Sequence, residues 1–92
     1  MASTVFRIEV HFAGRVQGVG FRYSARQIVQ GFTVTGQVRN LKDGRVHLVA
    51  EGTEAEVREF LREIQSQMQQ YIKETTMDAQ AGPAQFRDFH IV

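Results

Sequence analysis

The chain has 92 residues, of which 42% are hydrophobic, so it is long enough to bury one core without disulfides or metals. Its 11 basic and 10 acidic residues leave a formal net charge of +1, which provides no broad electrostatic surface for nucleic acid or a membrane. The absence of cysteine excludes disulfides, thiol catalysis and thiolate zinc sites. We therefore expect a single domain over residues 1–92 that binds a small anionic ligand.

The first third of the chain predicts a strand followed by a helix. Residues 5–12 alternate apolar and charged side chains, which is typical of a half-buried strand. Apolar side chains then recur at helical spacing between Phe21 and Val29, and Gly31 supplies a stop. The N-terminus of this helix should point at the glycine-rich loop that precedes it.

The middle of the chain predicts a β-hairpin and a second helix. Residues 33–40 are rich in β-branched residues, residues 42–44 (Lys-Asp-Gly) suit a tight turn, and residues 45–51 continue as the partner strand. Thr53 and Glu56 form a capping-box pattern at the start of the second helix. Its predicted buried stripe comprises Val57, Phe60, Leu61, Ile64 and Met68.

The C-terminal third has a weaker pattern. Residues 71–79 suggest an exposed strand, residues 81–84 (Ala-Gly-Pro-Ala) a turn or loop, and residues 86–92 a further strand. The order β-α-β-β-α-β predicts an α+β, ferredoxin-like split β-α-β sandwich. We expect an antiparallel sheet with both helices on one face and a short extra C-terminal strand.

Residues 14–22 (Gly-Arg-Val-Gln-Gly-Val-Gly-Phe-Arg) form a glycine-punctuated loop between the first strand and the first helix. Glycines allow consecutive backbone N–H groups to turn inward around an anion, and the helix adds its positive end. Glycines alone would suit a simple turn equally well. Arg22 favours an anion-binding loop over a simple turn, because its planar cationic fork matches phosphate oxygens. Neither a nucleotide P-loop nor a Gly-x-Gly-x-x-Gly pattern is present.

Residues 14–22 together with residues 36–46 (Gly-Gln-Val-Arg-Asn-Leu-Lys-Asp-Gly-Arg-Val) resemble the two signature segments of the acylphosphatases. The general resemblance covers nearly the whole chain and is weakest over residues 65–85. Gln37 departs from the family pattern, which often has tryptophan there. This departure affects the expected local packing more than the chemistry.

The resemblance implies hydrolysis of an acyl phosphate to a carboxylate and inorganic phosphate by in-line attack of water, without a metal or cofactor. Arg22 would bind two phosphate oxygens, and Asn40 would orient the water, because a neutral amide can donate and accept but cannot act as a general base. The resemblance places the phosphate on the backbone N–H groups of Arg15, Val16, Gln17, Gly18, Val19, Gly20, Phe21 and Arg22.

Interpretations in which the same residues have no role in binding or catalysis remain open. Arg22 would be merely solvated if no anion were bound, although a cation at the positive end of a helix is poorly placed without one. Asn40 suits an ordinary turn position. Arg15 and Arg39 are typical of surface or salt-bridge residues, although either could steer an anion. The three histidines, His11, His47 and His90, fall on different predicted strands and do not indicate a shared metal site.

Two other classes of function compete with the enzyme. One is a non-catalytic anion-binding or regulatory module, or a related domain for carbamoyl phosphate; Arg22 and Asn40 together favour turnover. The other is an RNA-binding sheet, which is disfavoured because the first and third strands should expose charged side chains and not aromatic rings: Arg7, Glu9, His11, Arg45, His47 and Glu51. With no signal peptide or membrane-spanning stretch, we expect a cytoplasmic monomer.

Overall fold

The structure is a computed structural model, and it describes residues 4–92. The predicted element order is confirmed, including the short extra strand at the C-terminal end. In chain order the elements are β1 (Thr4–Gly14), α1 (Phe21–Val29), β2 (Val34–Asn40), β3 (Val46–Gly52), α2 (Glu54–Gln67), β4 (Ile72–Pro83) and β5 (Phe89–Ile91). This arrangement is the expected ferredoxin-like α+β fold.

The five strands form one sheet in the order β4-β1-β3-β2-β5. The four long strands pair antiparallel, whereas β5 pairs parallel with β2, so the complete sheet is mixed. Parallel pairing brings residues 89–91 beside residues 36–38. As a result, Val92 lies at the same end of the sheet as the end of β2, close to the start of α1.

The core lies between the helices and one face of the sheet. Every second residue of β1 from Ile8 to Phe12 is buried, and the whole predicted stripe of α2 is buried as well. Phe60 of α2 is fully buried and its ring packs against those of Phe32 and Phe89, with centroids 5.9 and 5.5 Å apart. Burying a side chain of this size contributes about 1.5–3 kcal/mol, so α2 holds β5 in place as well as covering the central strands.

Thr53 caps α2 as predicted, because its hydroxyl accepts a hydrogen bond from the Glu56 backbone N–H at 3.3 Å. The second hydrogen bond of a capping box, from the Thr53 backbone N–H to the Glu56 carboxylate, is absent among the described residues. The Glu56 carboxylate instead accepts from the backbone N–H of Thr33 at 2.8 Å. The pair therefore fixes the start of α2 and also ties it to the segment leading into β2.

The prediction of a turn or loop at residues 81–84 was wrong for its first three residues. Ala81, Gly82 and Pro83 continue β4 and pair with residues 4–6 of β1. Proline is tolerated there because β4 is an edge strand and Pro83 is its last residue.

The expectation that Arg7 and Glu51 are exposed was also wrong. They lie opposite each other in the β1–β3 register, and only 7% and 1% of their surfaces remain accessible. The segment after β4 crosses over them. Arg7 Nε donates to the Glu51 carboxylate at 2.7 Å, and Arg7 Nη2 donates to the Pro83 carbonyl at 2.6 Å. Glu51 also accepts the backbone N–H groups of Gln85 and Phe86.

Neither α1 nor α2, the helices of the described part of the chain, is long and apolar enough to cross a membrane.

Candidate functional site

A cleft of about 190 Å³ opens where the loop after β1, the first turn of α1 and the end of β2 meet. Residues from both predicted signature segments line it, and the last strand adds one side of the cleft. The lining residues are Val16, Gly18, Gly20, Phe21, Arg22, Tyr23, Asn40 and Ile91. The fold therefore brings together Arg22 and Asn40, which lie 18 positions apart in the sequence.

Two glycines give the loop its shape. Gly18 and Gly20 have φ angles of 76° and 77°, in the left-handed region that other residues rarely adopt. The space beside both α-carbons is open. Val16 and Phe21 flank the pair and are almost completely buried, so the loop is anchored in the core at both ends while its glycines stay exposed to the cleft.

The N-terminus of α1 is left free for a ligand. Gly20 occupies the N-cap and has no side chain to cap the helix, and the first turn contains no acidic residue. In α2, by contrast, Thr53 caps the helix and Glu54 and Glu56 supply negative charge in the first turn. Uncapped N–H groups and the helix dipole favour an anion at the start of α1.

Arg22 is half-buried and lines the cleft from the first turn of α1. Its Nη1 donates to the backbone oxygen of Val92 at 3.0 Å. The other N–H groups of the fork have no protein partner among residues 4–92. The guanidinium is thus held at the cleft with donors to spare for an anion.

Asn40 is the last residue of β2 and is exposed. It shares the helix-covered side of the sheet with Val38, whereas Arg39 between them points to the other side. Asn40 lines the cleft from this side of the sheet. Its side-chain amide can both donate and accept hydrogen bonds there.

Gln17 has a role that the sequence did not reveal. Its side-chain amide donates to the backbone carbonyls of Leu41 and Arg45, at 2.7 and 3.0 Å. These two residues flank the turn between β2 and β3, and they also bond to each other through their backbones. Gln17 therefore connects the glycine loop to the strand end that carries Asn40.

The turn itself is stabilised by Asp43. Its carboxylate accepts from the backbone N–H of Arg45 at 3.0 Å and from Arg45 Nε at 2.9 Å. The backbone N–H of Arg45 is the main reason that the pKa of Asp43 lies below its usual value of 3.8. The turn that positions Leu41 for Gln17 is thus held by an ionised carboxylate at neutral pH.

Not every predicted loop residue faces the cleft. Arg15 is exposed and Val19 packs partly against the core, and neither they nor Gln17 line the cleft through their side chains. Conversely, Tyr23 and Ile91 line it and were not predicted. Tyr23 directly follows Arg22 and so could have been considered, but the place of Ile91 depends on the pairing of β5.

The three histidines lie on different strands, as predicted, but two of them are neighbours in the sheet. His11 and His47 face each other across β1 and β3 with ring centroids 4.8 Å apart, and His47 contacts Glu9 at 3.0 Å. Within residues 4–92, however, no group of three or more histidine or acidic side chains is arranged to hold a metal ion.

Gln37, the residue that departs from the family pattern, is half-buried beside Val49 and His90 in the sheet register.

Comparison with known proteins identifies the family. The family model "Acylphosphatase" matches residues 8–91. The acylphosphatase of Trichormus variabilis is 50% identical over 60 residues, which cover 65% of this chain and 59% of that protein. The chain therefore spans less than two thirds of the length of this relative.

Two further comparisons extend over most of the chain. The acylphosphatase of Methanospirillum hungatei is 39% identical over 85 residues, which cover 92% of this chain and 80% of the relative. The structure of an acylphosphatase from Coxiella burnetii superposes with a TM-score of 0.76 at 26% identity, covering 97% of this chain and 94% of the other. Because the family model matches residues 8–91, a range that contains the glycine loop and the end of β2, the chain belongs to the acylphosphatase family.

Proposed function

We propose that this chain hydrolyses acyl phosphates to a carboxylate and inorganic phosphate by in-line attack of water. The observation that carries the proposal is the convergence of an uncapped helix N-terminus, Arg22 and Asn40 on one cleft. The first two features suit a phosphate, and the third suits a water molecule beside it. The family to which the chain belongs supports the same reaction.

The loop and Arg22 supply the charge that the reaction needs. Phosphoryl transfer depends mainly on positioning and on stabilising negative charge over the equatorial oxygens. Backbone N–H groups of residues 15–22 hold these oxygens. The guanidinium of Arg22 binds two of them through the donors that Val92 leaves free.

Asn40 positions the attacking water. Its amide cannot take a proton at neutral pH, but it can fix the direction of a lone pair on water. The carboxylate is a good leaving group and needs little protonation as it departs. The proton of the water passes to a phosphate oxygen, so the reaction uses no general acid or base from the protein.

Hydrolysis of benzoyl phosphate by the purified chain, in buffer that contains EDTA, tests the proposal. We expect turnover above the spontaneous rate, and the rate should not change when Mg²⁺ is added, because Arg22 already supplies the cationic charge. Binding of phosphate without turnover would contradict the proposal and favour a non-catalytic anion-binding module. A cytoplasmic location, a monomeric state and a single domain remain predictions from the sequence.

A further inference from the structure

The phosphate-binding features account for only part of the cleft. Arg22 is the only charged residue among the lining residues in the described part of the chain. Beyond the glycines and Asn40, the lining consists of Val16, Phe21, Tyr23 and Ile91, which are apolar or aromatic. Val16 and Phe21 are buried as loop anchors, so Tyr23 and Ile91 are the ones that an acyl group can reach.

Tyr23 is exposed in a way that the packing of α1 does not require. It lies two residues after Phe21, about 200° around the helix from it, and so points away from the buried stripe of α1. Its exposed fraction is 63%. An aromatic ring at this exposure offers a large apolar surface at little entropic cost to a ligand that covers it.

Two exposed apolar residues lie next to Arg22, and one of them, Tyr23, lines the cleft. Among residues 4–92, three large hydrophobic side chains are exposed: Tyr23, Met77 and Val92. Tyr23 directly follows Arg22, and Val92 is the residue whose backbone oxygen Arg22 contacts. Two of the three therefore flank the arginine of the phosphate site, while Met77 lies on the edge strand β4.

We propose that Tyr23 and Ile91 form a subsite for the acyl group, and that this subsite selects acyl phosphates with an aromatic or bulky apolar acyl group over small ones. The inference rests on the proposed function, because it takes the phosphate to be bound by the loop and Arg22. In the bound substrate, the acyl group extends from the phosphate on the side away from the loop and lies against the Tyr23 ring. A negatively charged acyl group finds no second cation among the lining residues within residues 4–92, so it gains nothing from the subsite.

The test compares kcat/KM for benzoyl phosphate and for acetyl phosphate in the parent, Tyr23→Ala and Tyr23→Phe. The intrinsic reactivity of each substrate cancels when its values in parent and variant are compared. For Tyr23→Ala we expect the benzoyl-to-acetyl ratio to fall about fivefold, the size of a lost aromatic contact. Tyr23→Phe should keep the ratio, because the ring and not the hydroxyl makes the contact. Gln27→Ala, an exposed change one turn further along α1, is the matched control.

A binding measurement keeps the test valid whether or not the chain turns over. Phenacylphosphonate and acetonylphosphonate are non-hydrolysable counterparts of the two substrates, and calorimetry gives their Kd values. The parent should bind the phenacyl compound more tightly, and Tyr23→Ala should remove most of this preference while the thermal shift produced by inorganic phosphate stays. An equal loss for both compounds, or an unchanged ratio in Tyr23→Ala, would overturn the subsite. A preference for the phenacyl compound that Tyr23→Ala removes, in a chain that hydrolyses neither substrate, would instead reject the proposed function and leave the subsite supported.

Discussion

Arg22 of α1 donates through Nη1 to the backbone oxygen of Val92 at a distance of 3.0 Å. The contact joins the first turn of α1 to the residue after β5, and it offsets the poor placement of a cation at the start of a helix. It also holds the guanidinium beside the glycine loop. Because the bond is exposed and uses one nitrogen of the fork, phosphate can bind the remaining donors.

Arg22→Ala should retain the fold and lose hydrolysis by on the order of a hundredfold or more, the cost of removing a donor to the transition state. Inorganic phosphate stabilises a native state that binds it, and this stabilisation should largely disappear in the variant. Thermal melts with and without phosphate, run beside the benzoyl phosphate assay, measure both effects. Arg22→Lys should rescue poorly, because a point charge cannot make a two-pronged contact.

Arg26→Ala is the matched control for Arg22. Arg26 is an exposed arginine of the same helix and does not line the cleft. Its removal should leave the phosphate-induced shift in Tm intact. If Arg22→Ala kept the full shift or hydrolysed at the parent's rate, Arg22 would have no place in the site.

Asn40→Ala should separate binding from turnover. Because Asn40 orients the water and does not hold the anion, kcat should fall on the order of a hundredfold, the scale of a misplaced reactant, while the Kd for inorganic phosphate changes little. Calorimetry and steady-state kinetics provide the two values. Arg39→Ala, next to Asn40 but on the other side of the sheet, serves as the control. A parallel loss of affinity and rate would make Asn40 a phosphate ligand.

Gln17→Ala should lower both stability and turnover. Loss of two hydrogen bonds to backbone carbonyls costs about 1–2 kcal/mol in the free energy of unfolding. The loop and the strand end with Asn40 then lose their connection, and kcat should fall between about tenfold and a hundredfold. Gln17→Glu should be worse, since a carboxylate cannot donate to these carbonyls. Urea denaturation and assays well below the Tm separate the two effects.

An exposed glutamine away from the site, Gln69, gives the control for Gln17. Gln69→Ala should change neither the free energy of unfolding nor kcat. A Gln17→Ala variant that loses stability but keeps its kcat would limit Gln17 to a structural role.

Glu51→Leu should destabilise the chain more than Arg7→Met. Removing Glu51 leaves the buried Arg7 charge without its counter-ion, and the N–H groups of Gln85 and Phe86 without their acceptor, which costs about 3–5 kcal/mol. Removing Arg7 leaves a carboxylate that still accepts both N–H groups. Urea unfolding gives the two values. Arg62→Met, which breaks an exposed pair with Glu59, should cost less than about 1 kcal/mol, and the reverse order of the two buried variants would refute the reasoning.

Local patterns in the sequence determined a large part of this protein. Alternation, helical spacing and turn residues predicted β1, both helices and the β2–β3 hairpin, because each depends on neighbours within a few positions. The glycine loop and Arg22 were found for the same reason: positive φ angles, an uncapped helix start and a guanidinium are properties of consecutive residues. The prediction of Asn40 needed the resemblance to a family, since an asparagine before a turn is common.

The remainder was decided by the tertiary structure. The parallel pairing of β5 with β2 brings Ile91 and the Val92 oxygen to Arg22, and no pattern within residues 86–92 encodes a partner strand. The burial of Arg7 and Glu51 arises because the segment after β4 crosses a face of the sheet that alternation alone marks as exposed. The role of Gln17 is not visible in the local sequence, because its two acceptors lie 24 and 28 positions away. Contacts over such separations depend on how the whole chain packs, and a local sequence pattern carries no record of them.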